Sequence, residues 1–476
     1  MKTLIVVALT LVSFDAVAAT TEQRISAIEH DVIPALVIRG ENVPVVTLAE
    51  RMAQLKVPAV SVAVFNGGRI EWTRAYGYAD KERRIRATPE TLFEAGSISK
   101  AVSAVAALRL VESGVLDLDA NVNDRLTSWQ LPDDEFTTSH KVTLRTILNH
   151  TAGTTVSGFP GYARTVKIPS PVQVLEGKGN TEAVRVWKEP GQSWRYSGGG
   201  YTIMQVMMTD VTGRSFPALM RDSVLKPLGM RSSMYEQPLP NLWQARAASG
   251  YNRGGVKVPG GWNVYPEMAA AGLWTTATDL ASFALAVQRM YRVDGGVLSS
   301  RMSHIMLTPG MNDDGLGVFL TPDHERFGHG GANDGFQADL TAFIEGGKGV
   351  VIMTNSDNGG QLAQELELTI ARQYGWNGFP QTQKNVIRLA PADLARLVGH
   401  YNLDAGGVGE FDLVSHDGRL FLKSIDMPER ELMAESPEKF FVRDDLTPIE
   451  LVIENGSTAL HIEDGGMHAV KVSVAQ

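Results

Sequence analysis

The sequence contains no cysteine. Disulfides, thiolate nucleophiles, cysteine-ligated zinc and iron–sulfur clusters are therefore excluded. The compartment stays open on this count, because an oxidising space permits disulfides without requiring them. Basic residues are not in excess: 44 Lys and Arg stand against 53 Asp and Glu, a net charge of −9. A nucleic-acid partner, which needs a basic face, is not expected. Beyond the N-terminal segment no apolar run approaches the ~20 residues that span a bilayer. No Gly-x-Ser-x-Gly occurs, so the nucleophile elbow of the α/β-hydrolases is not supported. There is no internal repeat and no low-complexity tract. Apolar residues at 43% and charged residues at 20% suit a folded chain with a sizeable core rather than a disordered one.

The N-terminus points to export. Lys2 is a short basic region, Leu4 to Val12 is apolar apart from Thr10, and Ala16-Val17-Ala18 is a small-residue cleavage site. Residues 1–18 therefore read as a signal peptide. A membrane anchor is the alternative, but the apolar run is too short to span. A periplasmic or secreted protein without a membrane anchor is expected.

Residues 45–57 read as a helix, and Ala59 to Phe65 and Arg69 to Tyr76 as a hairpin around Asn66-Gly67-Gly68. From about 97 to 290 the pattern is mostly helical. One helix runs from near Ser97 to Gly114 and another from Tyr201 to Val211. A third starts after Thr278-Asp279, with either residue as cap. Strand signals return at Gly317 to Leu320, Phe336 to Ile344 and Val350 to Thr354, followed by an amphipathic helix over 360–374. One sheet built from both ends of an α/β domain over residues 19–378 is expected, with an inserted helical layer and a cleft between the layers. After Gly378-Phe379-Pro380 a second unit, 386–476, holds a short helix at 391–398. Five short strand-like runs follow, at Phe411 to Val414, Leu420 to Lys423, Phe440 to Val442, Ile449 to Ile453 and Val470 to Val474. A small antiparallel β-barrel or sandwich is expected there.

Ser-x-x-Lys occurs three times, at Ser97/Lys100, Ser223/Lys226 and Ser436/Lys439. The spacing alone is therefore weak. Ser97 differs by following Gly96 and opening a helix, where residues three apart share one face. A lysine so placed can take the serine proton if burial lowers its pKa. On local context alone, Ser97 is equally well a helix N-cap. His324 and His329 are five apart, so one helix face does not present both, and no metal is expected. No other cofactor is indicated.

The order of further motifs changes the balance. Phe93-Glu94-Ala95-Gly96-Ser97-Ile98-Ser99-Lys100, Leu148-Asn149-His150-Thr151-Ala152-Gly153, Tyr196-Ser197-Gly198, Gly272-Leu273-Trp274-Thr275-Thr276 and His329-Gly330-Gly331 together resemble the penicillin-recognising serine hydrolases. That family includes class C β-lactamases, DD-peptidases, D-aminopeptidases and esterases. The resemblance implies a β-lactamase-like antiparallel sheet flanked by helices, with a helical subdomain. It makes Ser97 the acylated nucleophile, Lys100 its activator and Tyr196 the proton shuttle, with Tyr201 a rival by proximity. It makes the N–H groups of Ser97 and Ala332 the oxyanion hole, and His329, Gly330, Gly331 and Gly198 the substrate-binding positions. His150 is read as a structural hydrogen-bonding residue.

Two positions depart from the family pattern: Gly198 stands where an asparagine is usual, and His329 where lysine is usual. An ordinary histidine would gain charge near pH 6, so His329 is expected to read a substrate carboxylate at pH 6 more than at pH 8. His-x-Gly resembles the D-aminopeptidases. The C-terminal unit, entered through Val398-Gly399-His400-Tyr401, resembles lipocalin-like barrels that cover the cleft or mediate assembly, with a stabilising appendage of no direct role as the equal alternative. The expected function is a peptidase of short peptides, including D-residue peptides. A carboxylesterase or weak β-lactamase is the second reading. A non-catalytic penicillin-binding or sensor protein is the third, and a scaffold on a dead hydrolase fold the fourth.

Overall fold

The computed structural model describes residues 19–404, 410–424, 427–442, 445–454, 457–462 and 467–472. The expected signal peptide, the turn at Asn455-Gly456 and the end of the last expected strand lie outside these residues.

The chain opens with helix α1 (Thr21–His30), strand β1 (Leu36–Ile38) and helix α2 (Leu48–Gln54). Strands β2 (Ala59–Asn66), β3 (Arg69–Asp80) and β4 (Ile85–Arg86) follow. The long helices of the middle region are α3 (Ile98–Glu112), α4 (Gly198–Thr212) and α5 (Ala277–Arg292). Then come β5 (Phe319–Leu320), β6 (Arg326–Asn333), β7 (Phe336–Phe343), β8 (Gly349–Thr354) and helix α6 (Gly359–Tyr374). Strand β9 (Thr382–Lys384) and helix α7 (Pro391–Leu397) lead into eight further strands, from β10 (Gly399–Asp404) to β17 (Met467–Lys471).

The main sheet has the order β4-β3-β2-β8-β7-β6-β5. Strands from before and after the helical region meet where β2 pairs antiparallel with β8, from Val60↔Thr354 to Phe65↔Gly349. The expected sheet built from both ends is therefore what forms. Side-chain alternation gives it two faces. Val60, Val62 and Val64 pack against Leu362, Leu366 and Ile370 of α6. Ala59, Ala63 and Phe65 turn to the opposite core, with α3 and α5. Every residue of α3 from Ile98 to Leu108 is buried, so α3 is a central helix rather than an amphipathic surface one.

The eight C-terminal strands close into an antiparallel barrel, with β10 pairing β17. Its core includes Leu397, Tyr401, Leu413 and Phe440. The barrel is tied back to the rest of the chain. β1 pairs parallel with β9, Leu36↔Thr382 to Ile38↔Lys384, and Ile38 packs on Met433 and Phe441 of the barrel.

Some local expectations are corrected. α5 begins earlier than read: Thr276 caps it, its hydroxyl accepting from the Asp279 N–H. Asp279 sits inside the first turn and accepts from the Ser232 N–H and the Ser233 hydroxyl. α4 begins at Gly198 rather than Tyr201, capped by Ser197, whose hydroxyl accepts from the Gly200 N–H at 3.1 Å. Glycines start this helix because a β-carbon on Gly199 would lie 2.6 Å from the Thr155 carbonyl oxygen. β6 carries almost no strand signal, because Gly328, Gly330 and Gly331 stand in it. No described helix is long and apolar enough to cross a membrane.

Candidate active site

Ser97 follows a turn that only glycine suits. Gly96 has φ +50, and a β-carbon there would lie 2.5 Å from the Ala332 nitrogen. Ser97 occupies the head of α3, but its side chain makes no capping bond. Its hydroxyl instead receives a hydrogen bond from the Lys100 ammonium at 2.9 Å, one helical turn on. The other two Ser-x-x-Lys serines have local duties. Ser223 donates to the Leu219 carbonyl at 2.6 Å. Ser436 accepts from the N–H groups of Glu438 and Lys439.

Lys100 is buried, and its second bond runs to the Ala270 carbonyl at 3.0 Å. Burial without a carboxylate partner disfavours the charged amine, and its pKa falls to about 7. The lysine nitrogen lies 4.7 Å from the centre of the Tyr196 ring. Burial pushes the Tyr196 phenol above the usual range, and the neighbouring Ser97 side chain offsets this in part. Ser97, Lys100 and Tyr196 thus meet at one point.

His150 holds Tyr196 in place. Its carbonyl accepts from the Arg195 N–H at 2.8 Å and its Nδ1 accepts from the Ser197 N–H at 3.1 Å. Those bonds flank Tyr196, whose ring centre lies 4.3 Å from the imidazole centre. An accepting Nδ1 puts the proton of neutral His150 on Nε2, and burial keeps the ring neutral. Tyr201 is fully buried and donates to the Leu148 carbonyl at 3.0 Å.

β6 forms the opposite wall. The two-residue turn Asp334-Gly335 makes Asn333↔Phe336 the closing hydrogen-bonded pair with β7. Alternation then turns the N–H and C=O of Ala332 and Gly330 away from β7. β5 pairs only with Phe327 and Gly328, so the edge from His329 to Asn333 has no strand partner among the described residues. Ala332 presents its N–H along this edge, beside the Ser97 turn. The Ser97 N–H likewise donates to no group among the described residues. Gly331 has to be glycine, because a β-carbon would lie 1.9 Å from the Ala95 carbonyl oxygen. Gly330 is exposed with open space around it.

His329 is 5% exposed, so it faces packed side chains, among them Tyr196 and Phe319, rather than solvent. Its Nδ1 donates to the Gly330 carbonyl, leaving Nε2 as a bare acceptor. Burial and the nearby Lys100 charge drive its pKa down to about 3. The expected gain of charge near pH 6 is therefore overturned: His329 is neutral throughout the physiological range. Gly198 offers little to a ligand, since its N–H donates to the Ser157 carbonyl at 3.0 Å. Its missing side chain is replaced in space by Phe159, whose ring would lie 2.9 Å from a β-carbon at 198.

Several residues of the site gave no sequence signal. Phe319 lies tilted against His329, ring centres 4.9 Å apart. Asp314 is buried and accepts from the Trp194 indole N–H at 2.9 Å, two residues before Tyr196. Burial raises its carboxyl to about 8. Asn333 donates to Glu94 at 2.8 Å and to the Ala271 carbonyl at 3.1 Å, which bolts β6 to the strand leading into Ser97. His324 lies outside the site, bonded to Asp313 at 3.0 Å.

Known proteins resemble this chain in sequence and in fold. The putative penicillin-binding protein PbpX of Bacillus subtilis is 26% identical over 63% of this chain and 71% of its own length. Penicillin-binding protein 4* of the same organism is 24% identical over 88% of this chain and 96% of its own. The octameric penicillin-binding protein homologue from Pyrococcus abyssi superposes with a TM-score of 0.60 at 22% identity, over 89% of this chain and 98% of that one. Residues 47–374 match the Beta-lactamase family, and the chain belongs to it.

Proposed function

We propose that the protein is an exported serine hydrolase that opens a peptide-like amide or ester through an acyl-enzyme on Ser97. The observation that carries this reading is the bond from Lys100 to the Ser97 hydroxyl at 2.9 Å, made by an amine whose pKa burial lowers to about 7. A neutral Lys100 takes the Ser97 proton as Oγ bonds to the substrate carbonyl carbon. The oxygen gains negative charge between the N–H groups of Ser97 and Ala332. Collapse breaks the bond to the leaving group, which receives the proton through the Tyr196 hydroxyl. Water then attacks the ester, gives a proton back through Tyr196 and Lys100, and frees Ser97.

A peptidase of short peptides, D-residue peptides included, is the first reading, supported by the penicillin-binding relatives. A carboxylesterase is the second, favoured by a neutral His329 and by Phe159 and Phe319, which give a substrate carboxylate no cation. Residues 1–18 serve export in this reading. Assembly into a homo-oligomer draws support from the octameric relative.

The test is a labelled penicillin and a fluorophosphonate, with mass spectrometry of the adduct. The purified protein is then screened on D- and L-aminoacyl amides, short-chain esters and a chromogenic cephalosporin. Adduct on Ser97 with turnover of one class supports the proposal. A stable Ser97 adduct with no turnover of any substrate would instead indicate a penicillin-binding sensor.

A further inference from the structure

The outer edge of β3 lies on the far side of the sheet from β6. The Tyr78 N–H donates to the Pro58 carbonyl at 2.8 Å, which sets the alternation of this ladder. Tyr76 and Arg74 then face β2, while Gly77, Ala75 and Thr73 turn their backbone groups outward. The Gly77 carbonyl accepts from the Ala87 N–H at 3.1 Å, where β4 covers the edge. The Thr73 carbonyl accepts from the Arg74 guanidinium at 3.2 Å. The N–H and C=O of Ala75 have no partner among the described residues.

This open edge lines a trough of about 1120 Å³ between β3 and α2. Its floor is apolar, with Leu48, Met52 and Val57 buried beneath it. Three cations, Lys56, Lys81 and Arg86, line it, all exposed. None makes an ion pair among the described residues. Arg86 lies over the Tyr78 ring at 4.4 Å. The one carboxylate in the lining, Glu29, is held by the Tyr76 hydroxyl at 2.9 Å.

Lys56 carries a second signal. It ends α2 at φ +55, with the Val57 N–H returning to the Met52 carbonyl at 2.9 Å. Helices are usually closed this way by glycine, because a β-carbon is disfavoured there. Here the position holds a cation that reaches the trough. On a chain of net charge −9, three uncompensated cations beside an unpaired strand edge form a local target for negative charge.

We propose that this trough binds an extended acidic peptide, added to β3 as a further strand. The peptide backbone pairs with Ala75, and its carboxylates meet Lys56, Lys81 and Arg86. Strand addition takes affinity from main-chain bonds and selectivity from side-chain pockets. The charges add steering and exclude basic partners. The site is separate from Ser97 and does not depend on the chemistry proposed there.

The experiment is fluorescence anisotropy on the full chain with a labelled peptide alternating Val and Asp. Three probes accompany it: the same peptide methylated at alternate backbone nitrogens, a Val–Lys counterpart, and dodecanoate. The acidic peptide should bind and should slow hydrogen exchange at Ala75. Affinity should fall at least about tenfold on backbone methylation, on exchange of Asp for Lys, and in the variant Lys56→Glu/Arg86→Glu. Should that variant fail to fold, Lys56→Gly/Arg86→Gln replaces it, since glycine suits the backbone at 56. Equal binding of the methylated or basic peptide would overturn the proposal. So would no peptide binding, or binding of dodecanoate alone, which would assign the trough to an amphiphile.

Discussion

Gly96 and Ala332 touch through backbone alone: a β-carbon on Gly96 would lie 2.5 Å from the Ala332 nitrogen. The turn that presents Ser97 and the free edge of β6 are thereby fixed to each other with no side chain between them. The two N–H groups proposed to receive the oxyanion owe their spacing to this contact. The bond from Asn333 to Glu94 at 2.8 Å locks the same two segments one step further along.

Replacing Ser97 by alanine should abolish adduct formation and turnover while leaving the melting temperature near that of wild type, because the hydroxyl caps nothing. Ser223→Ala and Ser436→Ala should keep full activity. The one local hydrogen bond lost at Ser223 and the two lost at Ser436 would cost about 1 kcal/mol of stability each. Intact-protein mass spectrometry with calorimetry on the three variants checks this.

Acylation should follow the neutral form of Lys100. Its pKa is lowered to about 7 by burial, so the rate should rise about tenfold per pH unit below that point and level off above it. Tyr196, whose phenol is raised by burial, stays protonated through this range and adds no second limb. Stopped-flow acylation between pH 5 and 9 measures the profile. A flat profile would remove Lys100 as the base.

The two tyrosines should separate. Tyr196→Phe should slow turnover by about 10²- to 10⁴-fold, the usual range for a lost proton-transfer group, with little effect on folding. Tyr201→Phe should act mainly on stability, by about 1 kcal/mol for its bond to Leu148. Kinetics and chemical denaturation on both variants decide between them.

His329 should not discriminate by pH. Because its pKa is about 3, wild-type selectivity between a matched acid and its amide should be the same at pH 6 and pH 8. His329→Lys should raise the acid-to-amide ratio of kcat/KM at pH 6 by about tenfold to a hundredfold, the value of a charge-assisted hydrogen bond. A ratio that climbs at pH 6 in wild type but stays level in His329→Gln would mean that His329 does gain charge there, since Lys100 titrates in both.

The sequence made some of this geometry legible and hid the rest for identifiable reasons. Ser97 and Lys100 were readable because helical spacing brings residues three apart together and because the order of the further motifs set this Ser-x-x-Lys apart from the other two. The β2–β3 hairpin was readable from Asn66-Gly67-Gly68, and the central helices from their apolar spacing. β6 was hidden by its glycines. They are dictated by contacts with distant backbone: a β-carbon on Gly331 would meet Ala95, and one on Gly328 would lie 2.1 Å from the Leu340 carbonyl oxygen. Phe159, Asp314 and Phe319 were hidden because they reach the site on loops or a two-residue strand whose course is set by tertiary packing. The neutrality of His329 was hidden because it arises from burial beside Lys100, which no spacing records.

The pairing of β1 with β9 gives the barrel a second attachment besides the covalent one. A nick in the linker before Thr382 would leave the two parts associated through Leu36–Ile38, the packing of Ile38 on Phe441, and the Arg39 N–H bonded to the Lys384 carbonyl at 2.9 Å. The barrel is thus restrained against pivoting about a single hinge. Cutting the chain back to the part that carries the Beta-lactamase family match would bare a strand edge and apolar side chains that the intact protein keeps covered, so a shortened protein would trade a missing module for a sticky surface.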